Sequence, residues 1–178
     1  MSSIKKFVLS MKTKRWRDEG KRNIMSRWWI DEPKLLGCSN PTDEQLEDFY
    51  QEGFRTIISL LDEYEQNPYY NLKAIEAKGF KRYSIPVTDF TAPTLADFQK
   101  FIHIVSESLK QGKVLVHCQG GTGRTGTMAA AYWMKKGLSA NEAIKKIRKA
   151  RTGAIEIPEQ EDSLYELEAS VIKEVFKL

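Results

Sequence analysis

The chain has 178 residues, 41% of them hydrophobic and 29% charged. That is the profile of one ordinary soluble domain with a core of its own, not of a disordered segment. No apolar run approaches the roughly 20 residues of a membrane span, and the N-terminus lacks the apolar stretch and small-residue cleavage site of a secretory signal. Two cysteines (Cys38, Cys118) and two histidines (His103, His117) are too few for a disulfide framework or an ordinary zinc site. The expectation is a cytoplasmic, monomeric protein whose chemistry uses no metal and no cofactor.

The charge is uneven. The formal total is +4, but residues 1–27 hold nine Lys or Arg against Asp18 and Glu19, so the rest of the chain is negative. A basic leader can bind nucleic acid or an anionic lipid surface; the plainer reading is a solvated extension. The expected division is a basic extension over 1–26 and a single domain over 27–178.

In chain order, 27–30 is strand-like. Thr42 caps a short helix with Leu46, Phe49 and Tyr50 at helical spacing, ended by Gly53. Residues 54–61 read as a buried strand, 70–78 as a helix stopped by Gly79, 80–87 as a strand and 89–93 as a loop. The clearest helix covers 94–111, with Leu95, Phe98, Ile102, Val105 and Leu109 along its apolar face. A short apolar strand, 113–117, is followed by a helix over 124–136. Ser139 caps another helix, with Ala140, Ala143, Ile144 and Ile147 inward. A last helix after Pro158 turns Leu164, Leu167 and Val171 inward. This alternation predicts an α/β domain whose central, mostly parallel sheet is flanked by helices. Ligands of such folds sit beyond the carboxyl ends of the strands, where 113–117 delivers the chain.

The next residues, His117-Cys118-Gln119-Gly120-Gly121-Thr122-Gly123-Arg124-Thr125-Gly126, carry the chemistry. Three loop glycines let the backbone turn its N–H groups inward, and the following helix adds its positive end. A cup formed by Gln119, Gly120, Gly121, Thr122, Gly123 and Arg124 suits a tetrahedral dianion, with Arg124 supplying a fork for two phosphate oxygens. Cys118 stands at its mouth, where the same field favours a thiolate. Gly121-x-Gly123-x-x-Gly126 also fits the dinucleotide fingerprint, but that site needs a further strand where 141–150 reads as a helix. A Walker loop fails because Arg124 stands where lysine is required.

The segment resembles the Cys-x5-Arg signature of cysteine-dependent protein phosphatases. Its Arg-Thr-Gly ending and the chain length resemble the small, atypical dual-specificity branch, including compact archaeal forms. The segment 85–90 (Ile-Pro-Val-Thr-Asp-Phe) resembles the family's general-acid loop, and 151–155 with 159–161 resembles its Arg-Pro-Gly and Glu-Gln-Glu segments, with Thr152 in place of the usual proline. The resemblance covers about 27–175 and implies a protein tyrosine phosphatase-like fold. It implies roles as well: Cys118 as nucleophile, Arg124 as anion clamp, Asp89 as general acid, Thr125 bonded to the sulfur and Gln160 orienting the hydrolytic water. His117 is expected to orient the loop and Cys38 to be a core thiol; a disulfide between Cys38 and Cys118 depends on reach.

Lipid-phosphatase relatives carry loop lysines where this chain has Gln119 and Thr122, and RNA 5′-phosphatase relatives differ at Gly120 and Gly123. The expected substrates are therefore phosphoproteins, phosphotyrosine first. The alternatives are RNA 5′-phosphates, phosphoinositides and a non-catalytic phosphate-binding module.

Overall fold

The computed structural model describes residues 25–176, so most of the basic extension lies outside it. Its strands are β1 (Arg27–Asp31), β2 (Leu35–Cys38), β3 (Phe54–Ser59), β4 (Lys81–Ser84) and β5 (Lys113–His117). Its helices are α1 (Asp43–Gln51), α2 (Leu72–Ala77), α3 (Leu95–Ser108), α4 (Gly123–Lys135), α5 (Ala140–Ala150) and α6 (Pro158–Phe176). One five-stranded sheet runs in the order β1-β2-β5-β3-β4, parallel except for β1. The fold is the expected α/β layering with helices on both faces.

The pleat divides the core. Val114 and Val116 of β5 face a cluster with Phe98, Phe101, Met128, Ile144 and Leu164, drawn from α3 to α6. Leu115, between them, faces a smaller cluster with Leu46, Phe49, Phe54 and Ile75. Central parallel strands are covered on both sides, which is why β5 reads as an unbroken apolar run. Helix α4 is buried from Gly123 to Tyr132. Its Ala129-Ala130-Ala131 run, fully buried, lets neighbouring helices approach closely.

The caps expected at Thr42 and Ser139 are present, and Thr94 caps a third helix. Thr42, Thr94 and Ser139 each close a capping box, with Gln45, Asp97 and Glu142 respectively. Four readings need correction. Strand β2 was not anticipated, because four residues in a central position show no alternation. The buried stripe of α3 runs through Phe98, Phe101, Ile104 and Val105, with Ile102 and Leu109 packed against its edge, while Leu95 in the first turn is 40% exposed. Val171 of α6 is exposed. Helix α2 begins at Leu72, capped by Asn71, and leaves Tyr70 free to enter the core.

Candidate active site

The carboxyl ends of β3, β4 and β5 release three loops, 60–71, 85–94 and 118–122, that meet over the start of α4. Leu60 N–H donates to His117 O (2.8 Å) and Val87 N–H to Leu60 O (3.2 Å), so the first loop is stitched between the other two.

Cys118 is buried, and its Sγ accepts from Gly121 N–H at 3.2 Å. The loop owes its shape to two close approaches. Gly121 holds a left-handed φ of 71° against the Cys38 carbonyl, where a Cβ would overlap backbone. Trp28 of β1 reaches across and donates its indole N–H to Gly121 O (2.9 Å).

Arg124 is 2% exposed. Its Nη1 donates to Val87 O (2.9 Å) and its Nη2 to Gln66 Oε1 (2.8 Å). Nη2 also lies 2.8 Å from Asp89 Oδ1, an ion pair whose carboxylate is about one-third exposed. Gln66 Nε2 donates to Asp89 Oδ2 (2.7 Å). Cys118, Arg124 and Asp89 thus meet where the three loops close over the start of α4. An anion placed there would meet loop N–H groups, an oriented arginine and a nearby sulfur.

A family model described as a DSP-PTPase phosphatase fused to NAD+ kinase matches residues 25–164. The chain belongs to the DSP-PTPase phosphatase family. The tyrosine-protein phosphatase CDC14 of Candida albicans is 31% identical over 80% of this chain and 27% of its own length. The Caenorhabditis elegans tyrosine-protein phosphatase cdc-14 is 32% identical over 74% of this chain and 20% of its own. The chain therefore spans roughly a fifth to a quarter of the length of the curated relatives it matches. Among solved structures, Tk-PTP in the active form is 34% identical with a TM-score of 0.74, covering 81% of this chain and 97% of that one. PTPMT1 in complex with PI(5)P is 25% identical with a TM-score of 0.75, covering 84% and 98%.

The remaining DSP-PTPase candidates fall as follows. Thr125 sits at the start of α4, but its buried Oγ1 has no hydrogen-bond partner among the described residues, so the expected bond to sulfur is not made in this structure. Gln160 is buried; its Nε2 donates to Thr91 O (3.1 Å) in the acid loop and its Oε1 accepts from Glu156 N–H (2.9 Å), tying α6 to that loop. Gln119 does not aim its side chain at the cup: it is held by Asn40 and the Tyr69 hydroxyl. Thr122 accepts from Arg151 Nη2 (3.2 Å), which braces the loop from the 151–155 segment. Cys38 is fully buried and both cysteines are free thiols. Burial pushes the Cys38 thiol well above its ordinary range, and nearby Cys118 adds to this.

His117 belongs to a directed chain that sequence reasoning saw only in part. Its Nδ1 faces the Cys118 carbonyl (3.4 Å), an acceptor, so the proton sits there. Its Nε2 then accepts from the Tyr70 hydroxyl (2.9 Å), whose oxygen accepts from Arg82 Nε (3.0 Å), and Arg82 pairs with Glu63. Burial, with Arg82 and Arg124 nearby, pushes His117 down to about 3. A ring this weakly basic, with its Nε2 lone pair already engaged by Tyr70, is poorly suited to be a general base. The unfolded chain protonates this histidine below about 6.5, so its contribution is fully present above that pH. It is lost as pH falls toward about 3, by roughly 1 kcal/mol per pH unit. Urea unfolding at pH 7 and pH 5 should show a shallower pH dependence in His117→Gln than in the parent protein; equal slopes would contradict the assignment.

Asn40, Gln66, Tyr70 and Arg151 were missed. Only Arg151 had a signal, as the first residue of a family-like segment; the others act through contacts made by folding.

Proposed function

We propose that the protein is a cysteine-dependent phosphatase acting on phosphotyrosine, and less readily on phosphoserine and phosphothreonine, in proteins. What carries the reading is the convergence of Cys118 Sγ, the Gly121 N–H and an Arg124–Asp89 pair at 2.8 Å. The Cys118 thiolate attacks phosphorus and forms an S–P bond, while the bond to the leaving oxygen breaks and Asp89 protonates that oxygen. Loop N–H groups and Arg124 stabilise the phosphoryl oxygens in both steps. Water then attacks the phosphocysteine and loses its proton to Asp89, and thiolate and phosphate are released. Gln160, beside Gly123 and bonded to the acid loop, orients that water.

Two features favour an aromatic phosphoester. Tyr69, bonded to Gln119 of the loop, and Phe90, next to Asp89, are 51% and 69% exposed. Phe90 is also held at φ 53°, a conformation costing an L-residue about 1 kcal/mol. The loop carries no lysine to meet a polyanionic head group. The phosphoinositide reading draws support from the PTPMT1 neighbour and from the basic residues before position 27.

The test is phosphate release in the presence of chelator, by freshly reduced protein, from phosphotyrosine and phosphoserine peptides, PI(5)P vesicles and 5′-triphosphorylated RNA. Fastest release from phosphotyrosine peptide is expected. Preferential release from the vesicles would transfer the assignment to lipids, and silence on every substrate would leave a binding module. Among the described residues no helix is long and apolar enough to cross a membrane.

A further inference from the structure

Gln66 occupies a place in the site that no motif indicates. The segment 62–66 folds into a tight turn, with Glu65 N–H and Gln66 N–H donating to Asp62 O at 3.0 and 2.8 Å. Asp62 fixes the turn with its own carboxylate, which accepts from Tyr64 N–H (3.2 Å) and from Thr88 Oγ1 (3.1 Å) in the acid loop. The turn thus directs the half-buried Gln66 side chain at the cup. There its carbonyl oxygen accepts from Arg124 and its amide nitrogen donates to Asp89, at 2.8 and 2.7 Å.

A primary amide has an acceptor and donors on one rigid plane. It can therefore touch a guanidinium with one end and a carboxylate with the other. Glutamate would satisfy Arg124 and repel Asp89; a hydrocarbon would satisfy neither. We infer that Gln66 is a positioning residue that seats the acid Asp89 over the cup and locks it to the orientation of Arg124. This rests on the reading of Asp89 as the proton donor to the leaving group.

A proton donor matters most when the leaving oxygen is strongly basic. Phenyl phosphate needs it, whereas an activated ester such as dinitrophenyl phosphate leaves almost unaided. Gln66→Leu should lower kcat on phenyl phosphate about tenfold, part of the 10²–10⁴ that a positioned acid supplies, and lower it about threefold or less on the dinitrophenyl ester. Gln66→Glu, which keeps the acceptor for Arg124 but loses the donor for Asp89, should show the same selective loss between the two esters, whatever its added charge does to KM on both. In an Asp89→Asn background neither change should add a further selective loss.

Equal losses on both esters, no loss in either variant, or a full selective loss that persists in Asp89→Asn would overturn the proposal. If Asp89→Asn itself affects both esters equally, the acid assignment fails first and the role of Gln66 falls with it. Should Gln66→Leu not fold, as judged by its melting curve, the isosteric Gln66→Glu decides the matter alone.

Discussion

Cys118→Ser is expected to reduce turnover of aryl phosphates by on the order of 10⁴-fold or more, with inorganic phosphate still bound. A hydroxyl has nearly the shape of a thiol, and the change leaves the loop backbone and Arg124, the proposed phosphate contacts, in place. Gly121 keeps its left-handed turn against Cys38, and Trp28 keeps its bond to Gly121 O. What disappears is the nucleophile, because a serine hydroxyl stays protonated with no base to activate it. His117 is poorly placed to serve: its Nδ1 faces a carbonyl, its Nε2 accepts from Tyr70, and burial makes it a very weak base. Steady-state kinetics alongside phosphate-binding calorimetry check both halves. Turnover retained within about tenfold would mean that Cys118 is not the attacking group.

Arg124→Lys is expected to cost about 10³-fold in kcat/KM and to lower the melting temperature as well. Lysine keeps the charge, so a purely electrostatic role would survive the change. The geometry asks for more. One guanidinium holds Val87 O with Nη1 and Gln66 with Nη2, beside Asp89, and the proposed phosphate contact asks for a planar fork as well. A single ammonium on a flexible stem cannot make these contacts together. Val87 O would lose a buried donor, worth roughly 1–3 kcal/mol. Near-parental kinetics in the lysine variant would show that charge alone suffices. A kinetic loss without any thermal shift would separate phosphate binding from loop bracing.

The fold and the core of the site were legible for different reasons. Strand β5 and helix α4 announced themselves because a buried apolar run, a glycine loop and a helix of small residues follow each other directly in sequence. Cys118 and Arg124 lie within that one segment, so their spacing alone brings them together. Asp89 was reachable only by resemblance, since 29 residues separate it from Cys118 and only the parallel pairing of β3 with β4 and β5 makes them neighbours. Gln66, Tyr70 and Asn40 were invisible for the same reason: each is an ordinary polar residue until the loop after β3 is drawn between the other two. Strand β2 escaped because central burial removes the alternation by which short strands are recognised. The bond expected of Thr125 is not formed: among the described residues its buried Oγ1 has no partner.

The central claim is that phosphate passes through sulfur. The direct measurement is mass spectrometry of the protein quenched in acid within the first turnover on an activated aryl phosphate, in chelator, followed by tryptic digestion. The peptide 114–124, which contains Cys118 and no serine or tyrosine, should carry one phosphoryl group that disappears as substrate is exhausted and never forms in Cys118→Ser. Product accumulating while that peptide stays unmodified, or a phosphoryl group on another segment, would contradict the account.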